Sequence, residues 1–163
     1  LFLDQVTKVL VYGLVPQGEV VRLVSGVLQI WPVHNPRGVF GISYGPPIVY
    51  FALPLLGSAL VVWFGIRARG RWPSVAYGLV LGGAVGNLVD RFRFGYVIDF
   101  IDLGLRGWHW HTFNVADAAV VAGVVLLLTR ELFGRRAHEG ETPVPESRQG
   151  VVPSADEQTR IPG

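Results

Sequence analysis

The 163-residue chain contains no cysteine and no methionine. Without cysteine it can form no disulfide, no thiolate metal site and no thiol nucleophile. It opens at Leu1-Phe2-Leu3 without a methionine, in what reads as the middle of an apolar helix, so the first segment is expected to be truncated. That segment has no basic stretch of the kind that begins a signal peptide. Charge is scarce as well: 16% of residues are charged, the net charge is +2, and no basic run offers a surface for nucleic acid.

Half of the residues are hydrophobic, and they are gathered in runs long enough to meet lipid. Four such segments can be marked. The first covers residues 1–15 and is interrupted by Asp4, Gln5 and Lys8. The second, residues 48–66, is uncharged and ends in Arg67, Arg69 and Arg71. The third, residues 73–89, is rich in small residues, with Gly82, Gly83 and Gly86 close together, a pattern that lets membrane helices approach closely. The fourth, residues 115–128, continues to Phe133 before Arg135 and Arg136. The fold class expected is therefore membrane all-α: four transmembrane helices, the first truncated, with a small extramembrane β element.

That β element is placed at about residues 18–44. Val20, Val21, Leu23, Val24, Val27, Leu28 and Ile30 are strand formers, and Ser25-Gly26 breaks them into a hairpin. Residues 92–111 are expected to be a loop, in which Trp108 and Trp110 favour the membrane interface. Residues 1–136 form the membrane-embedded domain, and the polar, Pro- and Glu-rich residues 137–163 are expected to be a disordered tail. Arg67, Arg69, Arg71, Arg130, Arg135 and Arg136 on one side face Arg22, Arg37, Arg91, Arg93 and Arg106 on the other. Charge counting leaves the orientation open.

Ionisable residues next to membrane segments are costly, and each calls for a role. Asp4 and Lys8 share one helix face. Asp90 and Arg91 close the third segment just after Asn87. Asp99 lies among Val97, Ile98, Phe100 and Ile101, where desolvation raises a carboxyl pKa. Asn114 and Asp117 open the fourth segment and could be no more than a helix cap. His109 and His111, spaced as H-x-H, have too few neighbouring ligands for a metal site. Since the third segment ends at Asp90 and the fourth begins near Asn114, Asp99 and Asp117 fall on the same membrane face. Two carboxyls brought together share a proton, so one can activate water while the other protonates a leaving amine. Peptide hydrolysis suits that arrangement. A small proton- or ion-coupled transporter is the alternative, since intramembrane acids also relay protons.

Asp4-Gln5-Val6-Thr7-Lys8, Asn35-Pro36-Arg37-Gly38-Val39-Phe40, Gly86-Asn87-Leu88-Val89-Asp90-Arg91 followed by Val97-Ile98-Asp99-Phe100, and Phe113-Asn114-Val115-Ala116-Asp117 occur in this order among the apolar segments. The set resembles lipoprotein signal peptidase, the type II signal peptidase of bacteria, over nearly all of residues 3–133. The resemblance implies an aspartic endopeptidase of the bacterial plasma membrane, with its active site near the outer leaflet and both termini in the cytoplasm. Such enzymes cut the signal peptide from prolipoproteins just before the lipid-modified cysteine. On this resemblance Asp99 and Asp117 are the catalytic pair, and Asp4, Lys8, Asn35, Asn87, Asp90, Arg91 and Asn114 support them or the substrate. No metal or other cofactor is implied. The partners implied are lipid-modified prolipoproteins and membrane lipids, and the chain is expected to act as a monomer. One departure stands out: Arg37 occupies a position that is usually glycine in the family's second motif.

Overall fold

The computed structural model describes residues 1–36, 46 and 48–139, with side chains as far as 132. The chain forms helices α1 (Phe2–Leu14), α2 (Val49–Gly65), α3 (Arg71–Phe94) and α4 (Val115–Glu139). It also forms strands β1 (Val21–Val24), β2 (Leu28–Asn35), β3 (Val97–Leu105) and β4 (Trp108–His109). All four apolar segments are helices, and the Ser25-Gly26 turn falls between β1 and β2, where Gly26 takes φ of 71°. Pro36 is the last described residue of the second motif; Arg37, Gly38 and Phe40 lie outside the described residues, as does the polar tail from residue 140.

Residues 92–111 are not a loop. α3 runs on to Phe94 and stops at Gly95, which takes φ of 81°. β3 then adds to the hairpin, giving one antiparallel sheet in the order β1-β2-β3-β4. The β element is therefore larger than residues 18–44, because the β-branched and aromatic residues of β3 find a partner in β2. Arg106 and Gly107, with φ of 52° and 84°, make the two-residue turn into β4, where positive φ matches the twist of a tight hairpin.

The helices are inside-out relative to a water-soluble protein. On α1 the residues buried are Asp4 and Lys8, while Phe2 is 82% and Leu14 77% exposed. Leu53, Leu55, Leu56 and Trp63 of α2, and Val121, Val125 and Leu132 of α4, also face outward. Polar side chains turned inward and apolar ones outward suit lipid as the solvent. Among the described residues, α3 is the one helix long and apolar enough to cross a bilayer, with 24 residues. α1 and α2 as described are shorter, with 13 and 17 residues, and the first turns and end of α4 carry Asp117, Arg130 and Glu131.

α3 and α4 make the central contact, through glycines that admit no side chain. A Cβ on Gly83 would lie 2.3 Å from the Ala116 carbonyl oxygen, and one on Gly123 would lie 2.6 Å from that of Ala76. The sheet is tied to this pair by a bridge between Ile101 and Phe113. The Ile101 amide donates to the Phe113 carbonyl at 2.8 Å, and the Phe113 amide donates back at 3.0 Å. This bridge brings β3, which carries Asp99, against the start of α4, which carries Asp117.

Candidate active site

A buried ion cluster holds the helices in register beneath the sheet. The Lys8 ammonium lies 3.0 Å from Asp4 Oδ2, 2.7 Å from Asp90 Oδ2 and 3.0 Å from Asn87 Oδ1. Its three donors are thus used up, as burial to 2% exposure requires. The Asp4 and Asp90 carboxylates each reach one element further. Asp4 Oδ1 accepts from the Ala116 amide at 2.9 Å, in the first turn of α4, where the helix dipole favours an anion. Asp90 Oδ2 accepts from the Ile98 amide at 3.1 Å, one residue before Asp99. The i,i+4 pair on α1 is therefore part of a four-element junction, well beyond a simple helix ion pair. Gly86 makes room for it, since a Cβ there would lie 2.6 Å from Asp4 Oδ2.

Above this cluster sit the two aspartates. Asp99 is 3% exposed and accepts hydrogen bonds on both oxygens, from Asn114 Nδ2 to Oδ1 at 2.7 Å and from Asn35 Nδ2 to Oδ2 at 2.9 Å. Asp117 is half-buried; its Oδ1 accepts from Asn87 Nδ2 at 2.7 Å and its Oδ2 from the Asn114 amide at 3.3 Å. Asn114, fully buried, joins the pair. Its Oδ1 accepts from the Asp117 amide at 3.0 Å, and its Nδ2 lies within 3.0 Å of Asn87 Oδ1 as well as facing Asp99. The helix-cap reading of Asn114 and Asp117 is thus correct in geometry: each side chain takes the other's backbone amide, a reciprocal cap. The same Asn114 side chain donates to Asp99, so it links the two carboxyls.

The electrostatics follow from burial. The Asp99 carboxyl is pushed up from its ordinary 3.8 to about 7, first by desolvation and then by the nearby Asp117 charge. The hydrogen bonds from Asn35 and Asn114, and the more distant Lys8 charge, pull it back part of the way. Arg91 is buried beside the site, where its charge faces Asp117, Asp99 and Asp90. Such a pair of carboxyls, close together and partly dry, can hold one proton between them near neutral pH.

All of the sequence-derived site residues converge here: Asp4, Lys8, Asn35, Asn87, Asp90, Arg91, Asn114, Asp99 and Asp117. Gln5, inside the first motif, belongs with them and was not singled out; its Nε2 donates to Asp90 Oδ1 at 3.0 Å and approaches Gly86 O at 3.3 Å. His109 is paired with Asp102, Nδ1 to Oδ1 at 3.0 Å, and among the described residues no group of three or more His, Asp or Glu is arranged to hold a metal. Asp102 is buried and also accepts from Gln29 Nε2, so it ties β2, β3 and β4 together away from the aspartate pair. Gly41-Ile42-Ser43-Tyr44-Gly45 spells Gly-x-Ser-x-Gly and lies outside the described residues. That motif works as a nucleophile elbow at a strand–turn–helix of an α/β sheet, whereas the described strands form an antiparallel sheet.

Comparison with known proteins bears on what the site does. Residues 1–133 match the family model described as signal peptidase (SPase) II. The lipoprotein signal peptidase of Desulforapulum autotrophicum is 36% identical over 140 residues, covering 82% of this chain and 86% of the relative. That of Mycobacterium avium is 39% identical over 143 residues, covering 82% and 75%. A solved bacterial membrane enzyme, determined by the in meso method at 2.3 Å resolution, superposes with a TM-score of 0.77 at 29% identity, covering 88% of each chain. A second such enzyme, at 1.9 Å, gives 0.72 at 30% identity.

Proposed function

The chain belongs to the signal peptidase II family, a family of membrane proteases that process lipoproteins, and on that footing we propose that it works as an aspartic endopeptidase through Asp99 and Asp117. The observation that carries the reading is the Asn114 bridge, which donates to Asp99 and is reciprocally capped with Asp117. In this reading the pair shares one proton. The ionised member takes a proton from a water as it attacks the scissile carbonyl carbon. The protonated member polarises that carbonyl and then gives its proton to the departing amine. Asn35, Asn87 and Asn114 supply N–H donors that aim the carboxyls, while Lys8, itself held by Asp4 and Asp90, fixes the Asn87 amide.

The substrate in this proposal is a diacylglyceryl-modified prolipoprotein, cut just before the lipidated cysteine. Its acyl chains lie in the bilayer against the outward apolar faces of the helices, which brings the peptide bond to the sheet at the membrane surface. The four helices span the plasma membrane, with the site near the outer face, both termini in the cytoplasm and the chain acting as a monomer. The transporter alternative gains no support from the geometry: Asp4, Lys8, Asp90, Asp99 and Asp117 form one cluster, and α3 carries no acidic or basic residue between Arg71 and Asp90.

A gel-shift assay on a diacylglyceryl-modified prolipoprotein tests the proposal. Asp99→Asn and Asp117→Asn are each expected to abolish cleavage while the protein stays membrane-inserted, and Ser43→Ala to cleave normally. Near-native turnover by either Asn variant, or loss of cleavage in Ser43→Ala with both aspartates intact, would overturn it.

A further inference from the structure

The end of the helices opposite the aspartates carries a groove that the proposed reaction does not use. It lies where α2 hands over to α3 and α4 nears its end, and it is lined by Phe64, Arg67, Tyr77, Leu127, Leu128 and Arg130. Its volume of about 430 Å³ falls in the range of small-ligand sites. α3 runs roughly 28 Å from Arg71 to Asp90, close to the thickness of a bilayer's hydrocarbon. With the aspartates at one membrane surface, the groove therefore faces the other. Trp63 and Trp72 flank it and are exposed, and indole rings favour the headgroup level.

The lining joins charge to an apolar wall. Arg67 is held by Trp63: its Nη1 donates to the Trp63 carbonyl at 2.8 Å, and its guanidinium carbon lies 3.7 Å from the centre of the Trp63 ring. That carbonyl takes one of the five N–H donors of a guanidinium, and the others remain for a ligand. Tyr77 packs against the end of α2, where a Cβ on Gly65 would lie 3.3 Å from the Tyr77 Cβ. Arg130 is exposed on α4, and Phe64 and Leu128 present apolar surface beside it. Glu131 is the acid of the lining. Arg69 and Arg71 stand just outside, so four arginines at this end face that one carboxylate.

We propose that this groove binds one anionic phospholipid, with its phosphate against Arg67 and Arg130 and its acyl chains along Phe64, Leu127 and Leu128. Planar guanidinium groups match the oxygens of a phosphate, and a basic pocket between membrane helices suits an anionic headgroup. The apolar wall favours a phosphate that carries chains over a soluble one. By bridging Arg67, just after α2, to Arg130 on α4, the lipid fastens α2 to the central α3–α4 pair. The proposal rests on the helices spanning a membrane and not on the aspartate pair.

The test is thermal unfolding of the full chain in a neutral detergent, with native mass spectrometry of the lipid retained. Phosphatidylglycerol should raise the wild-type melting midpoint by about 5 °C. Phosphatidylcholine, whose ammonium cancels the charge, and glycerol 3-phosphate, which has no chains, should each raise it by less than about 1 °C. Arg67→Gln/Arg130→Gln should lose most of the phosphatidylglycerol shift and of the retained lipid. Arg130→Gln alone, an exposed change that leaves the Arg67–Trp63 contact intact, should lose about half of both. Arg69→Gln/Arg71→Gln, which removes equal charge outside the groove, should keep both. The groove variants should cleave a lipidated substrate like the wild type in lipid-free detergent, so a failure here leaves the aspartate reading standing. A full shift in both groove variants, an equal loss in Arg69→Gln/Arg71→Gln, or an equal shift with phosphatidylcholine would overturn the proposal. So would an equal shift with glycerol 3-phosphate, which would make the groove a site for soluble phosphate.

Discussion

The Lys8 ammonium lies 3.0 Å from the side-chain oxygen of Asn87, and that contact decides what Asn87 offers Asp117. An ammonium only donates, so the Asn87 oxygen must face it. The Asn87 amide nitrogen is then turned toward Asp117 Oδ1, 2.7 Å away. A charge buried on α1 thus orients a carboxyl on α4 through one amide on α3. The same logic applies to Asn114, whose oxygen is committed to the Asp117 amide and whose nitrogen is left for Asp99.

Lys8→Met should separate the structural and catalytic parts of this relay. Removing the ammonium leaves Asp4 and Asp90 buried without their counter-ion, a loss of about 3–5 kcal/mol for a broken buried pair. The Asp4→Asn/Lys8→Met/Asp90→Asn triple variant removes the stranded charges and should recover most of that loss in thermal unfolding. Its turnover should stay down by about 10²-fold, because the Asn87 oxygen keeps only the Asn114 amide as a donor and Asp117 is misaligned. A triple variant with wild-type turnover would disprove the relay.

Asp99 gives a stability prediction with a definite sign. Its carboxyl titrates near 7 in the folded protein against an ordinary 3.8. Between those values the folded state binds more protons than the unfolded one, so the Asp99 contribution to stability falls as pH rises from about 4 to 7 and is constant above. Asp99→Asn mimics the protonated form and should therefore be more stable than the wild type at pH 8, by at most about 4 kcal/mol. The difference should shrink steadily as pH is lowered toward 4. Melting curves of both proteins across that range check the slope, and an Asn variant that is less stable at pH 8 would contradict it.

The glycines of the central helix pair are not equivalent. At Gly83 a Cβ would strike the Ala116 backbone at 2.3 Å, and at Gly86 it would meet Asp4 Oδ2 at 2.6 Å and the Ala116 Cβ at 3.3 Å, whereas at Gly57 it would meet nothing within 4 Å. Gly83→Ala must push α3 from α4 and should cost about 1–3 kcal/mol, with activity lost as well. Gly86→Ala should show a similar or smaller loss of stability but a comparable loss of turnover, because it displaces Asp4. Gly57→Ala, within a helix, should be neutral or stabilising by up to about 1 kcal/mol. Thermal unfolding in detergent, beside turnover, ranks the three.

Most of the site was legible in the sequence because its parts are local. Asp4 with Lys8, and Asn114 with Asp117, are helix neighbours three or four residues apart, and the expense of ionisable groups near lipid marks them out. β3 was not legible. Asp99, Asp102 and Gly104 interrupt its apolar residues and read as a loop, and only pairing with β2 makes that stretch a strand. Asp102 escaped notice for the same reason, since its partner Gln29 stands opposite it solely through the β2–β3 register. Tyr12 lies on α1, His34 on β2 and Tyr96 in the link from α3 to β3, so no spacing in the chain announces their stack.

Asn114 has two duties that one pair of substitutions can part. As the residue before α4 it accepts the Asp117 amide proton through Oδ1, and as a hydrogen-bond donor it holds Asp99 Oδ1 through Nδ2. Serine is a good substitute for the first duty, because its hydroxyl oxygen caps a helix about as well as asparagine. It is too short to reach Asp99 in the same way. Asn114→Ser should therefore keep its thermal stability to within about 1 kcal/mol and lose turnover by about 10²-fold. Asn114→Ala removes the cap too, and should be less stable than the serine variant by about 1 kcal/mol with turnover no higher. If the serine variant cleaved a lipidated substrate at the wild-type rate, the bridge between the two carboxyls would be a helix cap and no more.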